Sequence, residues 1–169
     1  GVDFDIPVYM SFHDPTQDLH IHFQRGMTHL DGQEAMEVCR FRHNNEGKIQ
    51  VAYTDVERTQ TQQQILTLIA QKMLAQPDKI PGYLELISEH VETDLELGEM
   101  LWFVEPALGF DLSSGLRTAT LPGDGTVTYH GWTYCYELYP EEVLDILNEM
   151  LNPYTTPITL EMTDMVQAS

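Results

Sequence analysis

Residues 19–42, LHIHFQRGMTHLDGQEAMEVCRFR, carry two hydrophobic periods back to back. Leu19, Ile21 and Phe23 alternate with His20, His22 and Gln24. A period of two reads as a strand with one apolar and one polar face, and Gly26 ends it. From Leu30 to Phe41 the spacing changes, and Leu30, Ala35, Val38 and Cys39 fall on the inner side of a short helix. Asp31-Gly32 stands near the start of that helix. Upstream, Phe4, Ile6, Val8 and Met10 also alternate, so the chain begins in a strand. This strand pairs with 19–23 as a hairpin across His13-Asp14-Pro15-Thr16-Gln17-Asp18, in which Asp14 and Asp18 read as turn residues.

Downstream, 43–53 is polar, contains Asn44-Asn45 and Gly47, and reads as a loop. Thr54-x-x-Glu57 is a capping box that opens a long helix. Ile65, Leu66, Leu68, Ile69, Met73 and Leu74 give that helix a wide apolar face. Pro77 and Pro81 punctuate, and Tyr83 to Val91 reads as another helix. Thr93-x-x-Glu96 repeats the capping box, opens a helix through Val104, and accounts for the flanking Glu92 and Asp94. Arg117 to Leu121 reads as a strand, Pro122 to Gly125 as a turn, and Trp132 to Tyr139 as a strand. Pro140-Glu141-Glu142 starts a last helix, which Asn152-Pro153 stops. Strands interspersed with helices make an α/β domain, placed at 1–160 with a tail at 161–169.

Charge narrows the function. The 169 residues hold 8 Lys and Arg against 27 Asp and Glu, for a net charge of −19. Such a chain has no broad basic face for nucleic acid or anionic lipid. It also repels anions at long range, so any anion site needs its donors gathered locally. Arg40, Arg42 and Arg58 are gathered in one segment, whereas beyond Ile80 the sole Lys or Arg is Arg117. Arg40 and Arg42 are two apart where the chain leaves a helix, a spacing that puts both on one face. Arg58 and Gln62 share a helix face near an N-terminus, whose amides also favour anions. Planar guanidinium donors match phosphate or carboxylate oxygens, and two side by side suit a pyrophosphate. Asp55, one turn before Arg58, is placed to orient it. The rival reading is an ordinary Asp55–Arg58 helix pair, worth roughly 0.3–0.5 kcal/mol, with Arg40 and Arg42 answering nearby acids.

Other clusters carry less. His20, His22 and His29 read as a polar strand face, with metal chelation as the rival reading. Tyr129, His130, Trp132, Tyr134, Tyr136 and Tyr139 read as core and cross-strand packing, with a glycan or polyprenyl platform as the rival. Ser113-Ser114-Gly115 lacks the pattern of a nucleophile elbow. Cys39 and Cys135 lack metal-site spacing and read as small buried side chains, a disulfide between them being the alternative.

Gly26-Met27-Thr28-His29-Leu30-Asp31-Gly32-Gln33-Glu34-Ala35-Met36, Arg40-Phe41-Arg42, Asp55-x-x-Arg58 and Gln62-Gln63 together resemble the LytR-CpsA-Psr family. Its pattern there is a Gly, a Leu-(Asn/Asp)-Gly, an Ala, Arg-x-Arg, Asp-x-x-Arg and a Gln pair. The match runs from about Gly1 to Leu74, and Thr61 stands where the family usually has an arginine. The resemblance implies a central mixed sheet flanked by helices (layered α/β/α), of which this chain is the C-terminal portion. It also implies an extracytoplasmic phosphotransferase of Gram-positive cell-wall assembly. That enzyme moves a teichoic acid or capsule polymer from a polyprenyl-pyrophosphate carrier to peptidoglycan. Arg40, Arg42, Arg58 and Gln62 would contact the pyrophosphate, with Asp55 supporting Arg58. A hydrophobic carrier calls for an apolar groove, which the long helix after Thr54 would line. Magnesium is the expected cofactor; its acids and the membrane anchor belong to the family's N-terminal half, outside this chain. A non-catalytic module binding lipid pyrophosphate or cell-wall polymer is the alternative.

Overall fold

The computed structural model describes residues 1–110 and 112–165, without the side chains of Ser113 and Ser114. The chain divides into two compact units, 1–118 and 119–169. The end of the expected tail, 166–169, lies outside the described residues.

In the first unit, β1 (Val2–Ile6), β2 (Met10–Asp14), β3 (Leu19–Phe23) and β4 (Gly26–Leu30) form two antiparallel pairs, β1–β4 and β2–β3. The opening strand is therefore two strands, and Gly26 starts a strand that the apolar pattern does not announce. Three residues, Pro7 to Tyr9, face two, Gln24 and Arg25, so one extra residue breaks the ribbon. Pro7 has no N–H to give a ladder, and Gly26 adopts φ +120, a conformation open to glycine. Val2, Phe4 and Ile6 point inward from β1, and Leu19, Ile21 and Phe23 from β3, as alternation requires.

α1 (Gly32–Arg40) starts at Asp31, whose carboxylate accepts from the Glu34 amide while Glu34 accepts from the Asp31 amide. The helix expected from Leu30 begins two residues later, because Leu30 ends β4; Leu30, Ala35, Val38 and Phe41 are buried in one core, and Cys39 is half-buried. α2 (Asp55–Leu74) starts at the expected Thr54–Glu57 box. Its apolar face is narrower than its sequence pattern: Ile65 is buried in the core, but Leu66 and Ile69 are exposed. α3 (Ile80–His90) begins earlier than expected because Pro81 sits in its first turn, where its missing N–H is harmless. α4 (Leu97–Val104) is capped at Glu96, whose amide donates to Glu99 at 2.8 Å. Thr93 instead accepts from the Leu95 amide ahead of the helix, so Thr93–Glu96 is not the box. α5 (Leu112–Gly115) is a single turn.

In the second unit, β5 (Gly123–Tyr129) and β6 (Trp132–Leu138) form an antiparallel hairpin, and α6 (Pro140–Met150) follows. Residues 117–121 are not a strand; pairing starts after Pro122 and runs through Gly123 and Asp124, where a turn was expected. Trp132 and Tyr134 are 76% and 83% exposed, so these aromatics do not pack a core. An isolated two-stranded ribbon offers them little to pack against. Asn148 holds the Ile158 backbone through both N–H and C=O, fixing the chain beyond α6.

The class is mixed α/β, as expected, but the strands stand as three two-stranded antiparallel ladders rather than one central mixed sheet. β2–β3 and β5–β6 are joined by short turns, and β1–β4 pair on either side of the β2–β3 hairpin, so all three pairs are antiparallel; parallel pairing needs a crossover that returns to the same sheet. Among the described residues no strand after α1 or α2 returns to β1–β4.

The 43–53 loop is tied to β2 by two side chains. Asn44 is buried; its Oδ1 accepts from the Ser11 amide at 2.7 Å, and its Nδ2 donates to the Tyr9 and Ile49 carbonyls. Asn45 bonds both the N–H and the C=O of His13. Asn44→Ala strands buried backbone groups and is expected to destabilise the protein by about 2–3 kcal/mol in urea unfolding; a loss near zero would mean that the loop is not anchored there. Thr54→Ala is expected to remove about 1 kcal/mol at neutral pH. The Thr54 amide, then its hydroxyl, holds the Glu57 carboxyl below its ordinary 4.5. That contribution is present above 4.5 and fades as Glu57 protonates below it, so the gap between variant and wild type should narrow in acid. A gap that widens in acid would contradict the sign.

Candidate functional site

Phe41 is fully buried and extended at the end of α1 (φ −60, ψ 136). Anchoring Phe41 in the core turns its two neighbours outward, and Arg40 and Arg42 both line one cleft of about 360 Å³. Arg58 and Gln62, one turn apart on α2, line the same cleft. All four sequence-chosen donors thus converge, although 15 residues lie between Arg42 and Arg58: the loop folds back through Tyr53 N–H to the Arg42 carbonyl and a His43–Ala52 bridge.

Asp55 organises two of the arginines. Its Oδ1 lies 2.8 Å from Arg58 Nη2 and 3.5 Å from Arg42 Nη2. These pairs are largely solvated, so their worth to stability is small, on the order of 0.5 kcal/mol. Their effect is geometric, since one carboxylate oxygen fixes two guanidiniums that otherwise repel. Arg40 is oriented separately. Its Nη2 donates to Gln17 Oε1, and Gln17 Nε2 in turn donates to Asp14 Oδ2 at 2.8 Å. The Thr16 hydroxyl and amide, with Gln17, hold the Asp14 carboxyl below its usual range, so it stays anionic.

Gln62 has a structural bond as well: its Nε2 donates to the Cys39 carbonyl at 3.0 Å, one of the unpaired carbonyls at the end of α1. This ties α2 to α1 across the cleft floor. Thr61 faces the other way, buried, with its hydroxyl 2.8 Å from the Tyr53 hydroxyl. The side chain at 61 therefore belongs to the interior in this protein and removes no donor from the cleft. The N-terminus of α2 is not the open anion site that the sequence invites. Thr54 takes the Glu57 amide, and Asp55 and Glu57 place two carboxylates on the first turn.

Sequence reasoning missed Phe12, Asp14, Gln17, Leu19 and His43 as cleft residues. Asp14 and Gln17 read as turn residues, and only the β2–β3 hairpin brings that turn beside α1. α2 gives this cleft Arg58 and Gln62 alone. An apolar groove of about 470 Å³ is formed by Ile80 and Pro81 of α3 with Leu101, Trp102 and Leu108 in and after α4.

The remaining candidates separate. His20 Nδ1 lies 2.9 Å from His13 Nδ1, His22 packs edge-on against Tyr9, and His29 pairs with Asp3 at 2.7 Å. Among the described residues no three His, Cys, Asp or Glu side chains are grouped to hold a metal ion. Cys39 and Cys135 are free thiols, and burial pushes the Cys39 thiol up. No helix among the described residues is long and apolar enough to cross a membrane.

No solved structure matches the chain. It is 29% identical over 140 residues to the polyisoprenyl-teichoic acid–peptidoglycan teichoic acid transferase TagV of Bacillus subtilis (strain 168), an alignment covering 81% of this chain and 34% of that protein. The chain thus spans about a third of this relative's length. The sequence profile of one family, LytR_cpsA_psr, matches residues 1–152, a span that includes every cleft residue and most of the second unit. With arginine donors, supporting carboxylate and family profile all falling on the same segment, the chain belongs to the LytR-CpsA-Psr family.

Proposed function

We propose that this chain is the pyrophosphate-binding portion of a cell-wall phosphotransferase. Its donor substrate is a polyprenyl-pyrophosphate-linked anionic glycopolymer, a teichoic acid or capsule, and its acceptor is peptidoglycan, at the outer face of the membrane. The observation that carries this reading is the convergence of Arg40, Arg42 and Arg58 on one cleft of a chain whose net charge is −19. Surface arginines in an acidic protein would disperse among its carboxylates. Here three are held together, and a cluster of like charges is stable in company with an anion. A pyrophosphate diester offers two adjacent anionic groups, matched by Arg40 and Arg42 on one side and Arg58 on the other. TagV, named as a teichoic acid transferase acting from a polyisoprenyl carrier, supports the choice of substrate class.

The chemistry asks little covalent work of the protein. An acceptor hydroxyl attacks the phosphorus that bears the glycopolymer, and polyprenyl phosphate leaves. Charge spreads over the phosphoryl oxygens as this happens, and guanidiniums fixed by Asp55 and Gln17 neutralise it without reorganising. Magnesium is the cofactor expected with the family.

A second reading has an observation of its own. Asp14 is the carboxylate lining the cleft, and Thr16 and Gln17 already occupy it, so the cleft lining holds no free carboxylate to act as base. That favours a module that binds lipid pyrophosphate without turning it over. Transfer of a radiolabelled lipid-linked glycan to peptidoglycan separates the two readings: turnover supports the transferase, and binding without turnover supports the module.

Two outcomes test the site. Arg42→Ala and Arg58→Ala are each expected to weaken binding of a farnesyl-pyrophosphate-linked sugar by about tenfold to a hundredfold, with unchanged circular dichroism. Equal affinity in both variants and wild type would remove the assignment. Asp55→Ala removes a negative charge from the rim, yet is expected to weaken binding, because Arg42 and Arg58 lose their common anchor. Tighter binding by calorimetry would show that Asp55 acts through its charge alone.

A further inference from the structure

His43 follows Arg42 directly and lines the same cleft as the three arginines. Its backbone is fixed on both sides. The His43–Ala52 bridge pins it within the loop, and Asn44 and Asn45 clamp the next two residues to β2. Its ring stands edge-on to Phe12, 5.3 Å between centroids at 81°, and Phe12 is itself a wall of the cleft. Among the described residues the imidazole has no hydrogen bond and no ion pair. The other polar groups of the cleft are engaged: Arg40 by Gln17, Arg42 and Arg58 by Asp55, Gln62 by Cys39, Asp14 by Thr16 and Gln17. An exposed imidazole on a fixed backbone, with no hydrogen-bond partner and among guanidiniums, is placed to receive an anion.

We infer that His43 is a fourth anion-contacting residue of the cleft, binding a phosphate oxygen of the pyrophosphate as the imidazolium and making substrate affinity depend on pH. This rests on the pyrophosphate reading of the arginines. The arginines keep their charge at all relevant pH values. Asp14 is held anionic by the Thr16 hydroxyl first and its amide second, and burial keeps the Cys39 thiol neutral. Asp55 is tied to Arg42 and Arg58. Of the groups that line the cleft, His43 is the one whose side-chain type changes charge between about pH 5 and 8. His13 and His20 bond to each other, and neither lines the cleft. A bound diphosphate places negative charge beside the ring and favours the imidazolium. Binding should therefore draw a proton from solution.

The test is calorimetry with farnesyl-pyrophosphoryl-N-acetylglucosamine, a pyrophosphate diester with no proton to lose between about pH 5 and 8. Wild-type affinity is expected to fall about threefold to tenfold as pH rises across that range, with proton uptake seen as a dependence of the heat on buffer ionisation. His43→Gln should bind with a flat pH profile and no uptake. In parallel, the His43 ring signals in NMR should move to the imidazolium position when the diester is added at neutral pH. A wild-type profile in His43→Gln, or ring signals that stay put on binding, would overturn the inference. If Arg42→Ala and Arg58→Ala bind as wild type does, it is the pyrophosphate reading that fails, whatever His43 does.

Discussion

The site depends on one carboxylate oxygen shared by two guanidiniums. Asp55 Oδ1 faces Arg58 at 2.8 Å and Arg42 at 3.5 Å, and these residues come from different elements, a helix and the strand-like exit of another. Without that shared acceptor, two like charges would swing apart into solvent, where their side-chain entropy is greatest. With it, their donors are pre-set before any ligand arrives, which is how a solvated pair of little worth to folding acquires weight in binding. Gln17 performs the same office for Arg40 through a neutral amide, which the anionic Asp14 holds in turn.

The fold serves this arrangement through three local devices. Phe41 is sunk in the core, so its neighbours must face out. Asn44 and Asn45 take the place of a neighbouring strand along β2 and hold the long loop close to its origin. The Thr54–Glu57 box sets the first turn of α2, and with it the direction in which Asp55, Arg58 and Gln62 project. None of these residues needs to touch a ligand, yet each decides where one that does will stand.

Local physics made much of this legible in advance. Alternation in 19–23, the helical spacing of 30–41 and the Thr54 box each involve residues close in sequence, and each appears in the structure. The arginine cluster was legible because an acidic chain makes basic residues conspicuous. What escaped is long-range or geometric. β4 carries Met27 and His29 on its exposed side and buries only Leu30 fully, so it has no apolar period to detect. Gln17 and His43 belong to the cleft only because a hairpin and a loop fold toward α1. Thr93 and Glu96 sit three apart with the right chemistry, but the helix begins one turn later, where Glu96 and Glu99 have the same spacing. The aromatic alternation in 132–139 predicted a strand correctly and its burial wrongly, because burial depends on what covers a ribbon and a two-stranded ribbon has little cover.

The most direct measurement is a crystal structure of the chain with a farnesyl-pyrophosphate-linked sugar bound. The account requires the diphosphate to lie in the cleft of Phe12, Arg40, Arg42 and Arg58, within hydrogen-bond reach of at least two of the guanidiniums while Asp55 still holds Arg58. A diphosphate bound elsewhere on the molecule, with the three arginines left as they are, would contradict it.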